Sequence, residues 1–182
     1  MAETARRMPL AAARRIAEAV RAELAPRCQR IEIAGSIRRE KPDIGDVEIV
    51  AIPLPKIDLF GAPVGGETLL DPLLDRLCGE GRLVKIKRGE KYAQFRIVKA
   101  GINLDLFMAS PATWACIFVI RTGSAQFTHR LVTQKAKGGL CPDDCRFSDG
   151  RLWRDGKAVE LVEEADLFRE LGLAWLEPRE RK

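Results

Sequence analysis

Histidine is nearly missing from this chain: His129 is the only one in 182 residues. A zinc centre built on imidazoles is therefore short of ligands. The five cysteines, Cys28, Cys78, Cys116, Cys141 and Cys145, are odd in number and scattered. Cys141 and Cys145 lack a second pair that would complete a zinc site. With no secretory leader in front of them, the cysteines point to a reduced, intracellular, cytoplasmic protein. No apolar run approaches the roughly 18 residues that span a bilayer, so no membrane partner is expected. Glycine is also absent ahead of Gly35.

What is present is the balance of a folded soluble domain, 46% hydrophobic and 31% charged. The length allows one domain, or a main domain with a small satellite. A net charge of +5 and a pI near 9.1 favour a polyanionic partner.

Along the chain, Pro9 suits a first helical turn, and Ala13, Ile16, Val20 and Leu24 form an apolar stripe that ends near Pro26. Residues 30–34 alternate as a strand. Residues 53–66, with three prolines and three glycines, read as a loop. Thr68 is placed to cap a helix carrying Leu70, Leu73, Leu74 and Leu77. Residues 83–87, 92–98 and 102–108 read as strands, and 111–121 as a buried helix. Ser124 can cap the next helix through Phe127 and Leu131. From Gly138 onward, short strands around 152–159 and a helix over 163–171 suggest a small second domain.

The chain is organised around Gly35-Ser36-Ile37-Arg38-Arg39 and, shortly after it, Gly45-Asp46-Val47-Glu48. On a strand Asp46 and Glu48 point to one face, while Val47 and Ile49 enter the core. Two such carboxylates repel unless a cation lies between them, and an all-oxygen donor set suits Mg²⁺ better than zinc. The Gly-Ser turn has two readings, a helix cap by Ser36 or a phosphate cradle helped by the arginines. Asp105 likewise reads either as a solvated strand residue or as a third carboxylate, if the sheet sets its strand beside that of Asp46.

Together these motifs resemble the family X DNA polymerases. The resemblance rests on Gly35-Ser36 with Arg38-Arg39, Gly45-Asp46-Val47-Glu48, Asp105 in its apolar strand, and Thr122-Gly123-Ser124 followed by Phe127. Glu164, Asp166, Phe168, Leu171, Gly172, Leu173, Trp175, Pro178 and Arg179 resemble the family's thumb ending. It implies an α+β fold, a nucleotidyltransferase palm (1–121) with a mixed β-sheet packed on helices, plus a small α/β thumb (122–182). Neither the family's lyase domain nor its fingers domain fits, so lyase activity is not expected.

By this resemblance Asp46, Glu48 and Asp105 are the catalytic and metal-holding residues for two Mg²⁺ or Mn²⁺ ions. Ser36, Arg39, Gly45 and Arg7 would meet the triphosphate of a dNTP, and Ile120, Arg121 and Gly123 its sugar. The implied activity is a monomeric polymerase filling short gaps in gapped or primed DNA. Glu48 departs from the usual aspartate, and Ile120-Arg121 from the usual aromatic pair, which leaves metal preference and sugar selectivity open. Two other readings are a nucleotidyltransferase with another acceptor or untemplated addition, and a silent nucleic-acid-binding module.

Overall fold

The computed structural model describes residues 7–182. A two-residue strand, β1 (Met8–Pro9), leads into helix α1 (Leu10–Leu24). Pro9 stands just ahead of the helix in an extended conformation, where its missing N–H costs nothing. Ala13, Ala17 and Leu24 of α1 are buried, and Ile16 and Val20 pack beside them.

Strand β2 (Cys28–Ile33) runs into the single-turn helix α2 (Gly35–Arg38). Next come β3 (Asp43–Ile44), which pairs with β1, and the long strand β4 (Asp46–Pro53). Where the prolines and glycines point to a loop, the structure has a hairpin, β5 (Pro55–Ile57) with β6 (Pro63–Thr68). It is a two-stranded sheet apart from the main one, largely exposed, so water can satisfy the ladder positions a proline leaves empty.

Helix α3 (Leu70–Gly79) buries the four leucines expected of it. Thr68 does not cap it as an acceptor; instead the Thr68 N–H and hydroxyl each donate to Asp71 Oδ2 at 2.8 Å. Strands β7 (Leu83–Arg88), β8 (Tyr92–Ile97) and β9 (Ile102–Met108) complete a five-stranded mixed sheet, ordered β2-β4-β9-β8-β7. Only β4 and β9 run parallel in it. One face, carrying Val47, Ile49, Leu104, Leu106 and Phe95, is covered by α1 and α3.

The opposite face is covered at one end only, by Trp114 and Phe118 of helix α4 (Trp114–Thr122) packed on Val50, Ile52 and Phe107. The reverse side of α4, with Ala115, Cys116 and Val119, enters a second core. That core is closed by helix α5 (Ala125–Val132), strands β10 (Cys145–Ser148) and β11 (Arg151–Arg154), and helix α6 (Glu164–Glu170), while β12 (Lys157–Ala158) pairs with β11 at its edge. A helix apolar on all sides is one buried on all sides, which is why residues 111–121 read as a buried segment. The molecule is thus α+β, a mixed sheet with helices, as its sequence pattern implies.

Candidate active site

The open end of the sheet face lies beside α2. The Ala34 N–H donates to the Glu48 carbonyl at 2.8 Å, so the chain leaves β2 pressed against β4. Gly35 then adopts φ +61°, and a Cβ there would overlap Glu48 Oε2. Only glycine meets both demands. Gly35→Ala should destabilise the fold by about 1–3 kcal/mol, lowering the melting midpoint by about 2–10 °C, because the backbone strains and the Glu48 carboxylate must move. A thermal melt within error of wild type would remove this packing argument.

Ser36 does not cap a helix. Ala34 holds the cap position, Ser36 lies inside the turn, and its Oγ is buried without a hydrogen-bond partner. An orphaned buried hydroxyl costs free energy unless a ligand meets it.

The parallel pairing of β4 with β9 sets Glu48 opposite Asp105 and Asp46 opposite Asn103. Asp46, Glu48 and Asp105 therefore share the sheet face that α4 leaves open. On β8, Tyr92 and Gln94 share that face too. The Tyr92 hydroxyl donates to Asp105 Oδ1 at 2.7 Å, and Gln94 Nε2 donates to the same oxygen at 2.9 Å. Neither residue stands out in sequence beyond the alternation of its strand.

These carboxylates disturb one another. Burial, then the charge of Asp105, raises the Asp46 pKa, against opposing pulls from Arg39 and Arg7. Burial, then Asp46, pushes Glu48 up to about 7, with Arg39 and Arg121 pulling it down. Acids held together at this cost form a donor set that a hard divalent ion would relieve. Among the described residues, however, no three His, Cys, Asp or Glu side chains converge as a ready-made metal cluster. Glu48 folds over Gly35 and Asp105 is tied to Tyr92 and Gln94, so the three are neighbours on a face rather than a closed cage.

Two arginines leave the Ser36 turn toward α4. Arg39 NH1 donates to the carbonyls of Thr122 at 2.5 Å and Gly123 at 2.9 Å, while burial lowers its pKa against the pull of Glu48 and Asp46. Arg38 donates to Thr122 Oγ1 at 2.7 Å and to both oxygens of Glu164 at 2.8 and 2.6 Å. Gly123 is crowded: a Cβ would stand 2.5 Å from Phe127 Cδ1 and 2.8 Å from Thr128 Oγ1. Ser124 caps α5 as expected, accepting from the Phe127 N–H at 3.0 Å.

Ile120 offers its carbonyl to the Thr128 hydroxyl at 2.9 Å. Arg121 lays its guanidinium over the Phe107 ring, 4.0 Å from the centroid, within electrostatic reach of Glu48. Arg7 pairs with Asp43 and lies near Gly45, where a Cβ would be 3.5 Å from its NH1. Arg7 and Arg39 thus act electrostatically on Asp46, which follows Gly45, while the Ser36 turn lies against Glu48 through Gly35.

Comparison with known proteins bears on the fold and the family. Residues 118–182 match the family model described as DNA polymerase beta thumb. DNA polymerase lambda of Rattus norvegicus is 30% identical over 167 residues, covering 81% of this chain. The chain spans 28% of that relative's length. A polymerase beta of Leishmania infantum, solved as a ternary P/T complex, superposes with a TM-score of 0.76 at 16% identity, over 98% of this chain and 78% of that one. In its thumb-matching segment, its lambda-like stretch and its fold, the chain is similar to the family X DNA polymerases.

Proposed function

We propose that this protein is a DNA polymerase that transfers nucleotides from dNTPs to a primer 3′-hydroxyl, filling short gaps in DNA repair. The observation that carries this reading is the parallel pairing of β4 with β9, which brings Asp46, Glu48 and Asp105 to one open face beside the Ser36 turn. Residues 1–121 would act as a palm and 122–182 as a thumb holding the DNA.

Asp46, Glu48 and Asp105 would hold two Mg²⁺ or Mn²⁺ ions. When bound, such ions supply Lewis acidity at the 3′-oxygen and neutralise the departing pyrophosphate. The unpartnered Ser36 hydroxyl is free to donate to a phosphate oxygen, and Arg39 and Arg7 add positive charge around it. Arg39 also grips the Thr122–Gly123 backbone, so it fixes where the sugar of a nucleotide could rest. Tyr92 and Gln94 orient Asp105 through its Oδ1, leaving its other oxygen for the reaction side.

A labelled primer across a one-nucleotide gap, offered each dNTP or rNTP singly with Mg²⁺ or Mn²⁺, tests the proposal. Extension by the complementary dNTP alone is expected. Indifferent extension would favour untemplated transfer or another acceptor, and binding without extension a silent module.

A further inference from the structure

Helix α1 carries more apolar surface than the sheet takes up. Ala13, Ala17 and Leu24 are buried in the core, and beside them Ala12, Ile16, Ala19 and Val20 form a second stripe at helical spacing. Ile16 and Val20 are only half-buried, and Ala19 is exposed. This stripe is one wall of an open groove of about 670 Å³. The other wall is the turn from β8 into β9, with Ile97, Ala100 and the 49% exposed Val98. The buried Leu77, Leu83 and Leu104 line the groove as well.

The groove lies on the far side of the sheet from the carboxylates. Leu104 and Asp105 are neighbours on β9 and face opposite ways, Leu104 into the core under α1 and α3 and Asp105 onto the open face.

The charged rim of the groove is unbalanced. Glu23 and Arg82 satisfy each other through two hydrogen bonds, at 2.7 and 2.5 Å. Arg15 on the α1 wall and Lys99 on the opposite wall are exposed and have no carboxylate partner among the described residues. An occupant must therefore fill an apolar trough and bring negative charge to both of its edges. A second copy of this chain would set like charges against one another at that rim. Nucleic acid has the negative charge but no row of apolar side chains for the trough. A helix with one apolar face flanked by acids meets both demands, the arrangement of helix-in-groove recognition.

We infer that this groove is a docking site for an acidic amphipathic helix of a partner protein, its apolar side chains seated between α1 and the 97–100 turn and its carboxylates meeting Arg15 and Lys99. The site stands apart from the nucleotidyl-transfer reading, since none of its residues belongs to the carboxylate face.

The test uses a fluorescein-labelled peptide of about 18 residues, with leucines at i, i+3, i+4 and i+7 spacing and glutamates on both flanks, and a twin carrying lysines in place of the glutamates. By fluorescence anisotropy the full chain should bind the glutamate peptide at least about tenfold more tightly than its twin, and Arg15→Glu/Lys99→Glu should reverse that order. Ala19→Arg fills the trough while adding positive charge, so it should weaken glutamate-peptide binding about tenfold, where simple charge attraction would strengthen it. All three positions are exposed, so the melting midpoints of the variants should stay within about 2 °C of wild type. Saturating gapped DNA should leave the peptide in place. No binding to wild type, an unchanged preference in the double variant, unchanged or tighter binding in Ala19→Arg, or displacement by gapped DNA would overturn the site. So would self-association of the chain that Ala19→Arg abolishes, which would make a second copy the occupant.

Discussion

Asp105→Asn should slow primer extension by about a thousandfold or more, a loss of about 4 kcal/mol of transition-state stabilisation. The substitution is chosen for what it keeps. An asparagine Oδ1 can still accept from the Tyr92 hydroxyl and from Gln94, so the local hydrogen bonds to β8 survive. What it removes is the charge, which the neighbouring Asp46 feels directly. The melting midpoint should therefore stay within about 2 °C of wild type, as for changes that break no buried contact. Mn²⁺ binding, read by electron paramagnetic resonance, should weaken in parallel with extension. Extension at the wild-type rate would remove Asp105 from the metal site. A large fall in melting midpoint would recast it as a structural acceptor for Tyr92.

Much of this site is legible in local sequence patterns. Strand alternation is a property of the backbone, so Asp46 and Glu48 must share a face once their strand is recognised. The same logic finds the strand of Asp105, but strand neighbours are chosen by the whole sheet, and only the tertiary fold sets Glu48 opposite it. Residues 53–66 mislead because proline and glycine usually end elements; here they lie in an exposed two-stranded hairpin that tolerates them. Thr68 and Ser36 both carry a capping hydroxyl, yet one donates to Asp71 and the other is left buried without a partner. Cap roles depend on where the helix begins by one residue, which propensity does not resolve. The tie between Arg38 and Glu164 spans 126 positions and has no local signature.

That tie is the second place where one side chain decides a great deal. Glu164 is 6% exposed and joins Arg38, on the turn that carries Ser36, to the fully buried Arg181. The Arg38 guanidinium also lies over Phe118 at 3.9 Å, and Arg181 sits 5.0 Å from Phe168 and 4.8 Å from Trp175, so neither cation can swing to water without unpacking an aromatic contact. Glu164→Gln keeps the volume and leaves two cations without their shared anion. Breaking a buried pair in this way typically costs about 3–5 kcal/mol. For a chain of this size the melting midpoint should drop by roughly 6–20 °C. Burial alone would raise the Glu164 pKa, but the hydrogen bond from Arg38 and the charges of Arg181 and Arg38 outweigh it and hold the carboxyl below its ordinary value. The stabilisation is thus complete above the usual glutamate pKa of about 4.3 and is lost as pH falls through the lower, folded-state value. Urea melts of wild type and Glu164→Gln should accordingly differ most near neutral pH and converge in acid. Arg39 leaves the same turn, so the variant should also loosen the grip on Thr122 and Gly123 and weaken extension even at temperatures where it stays folded. A difference between the two proteins that does not change with pH would show that Glu164 acts through packing rather than through its charge.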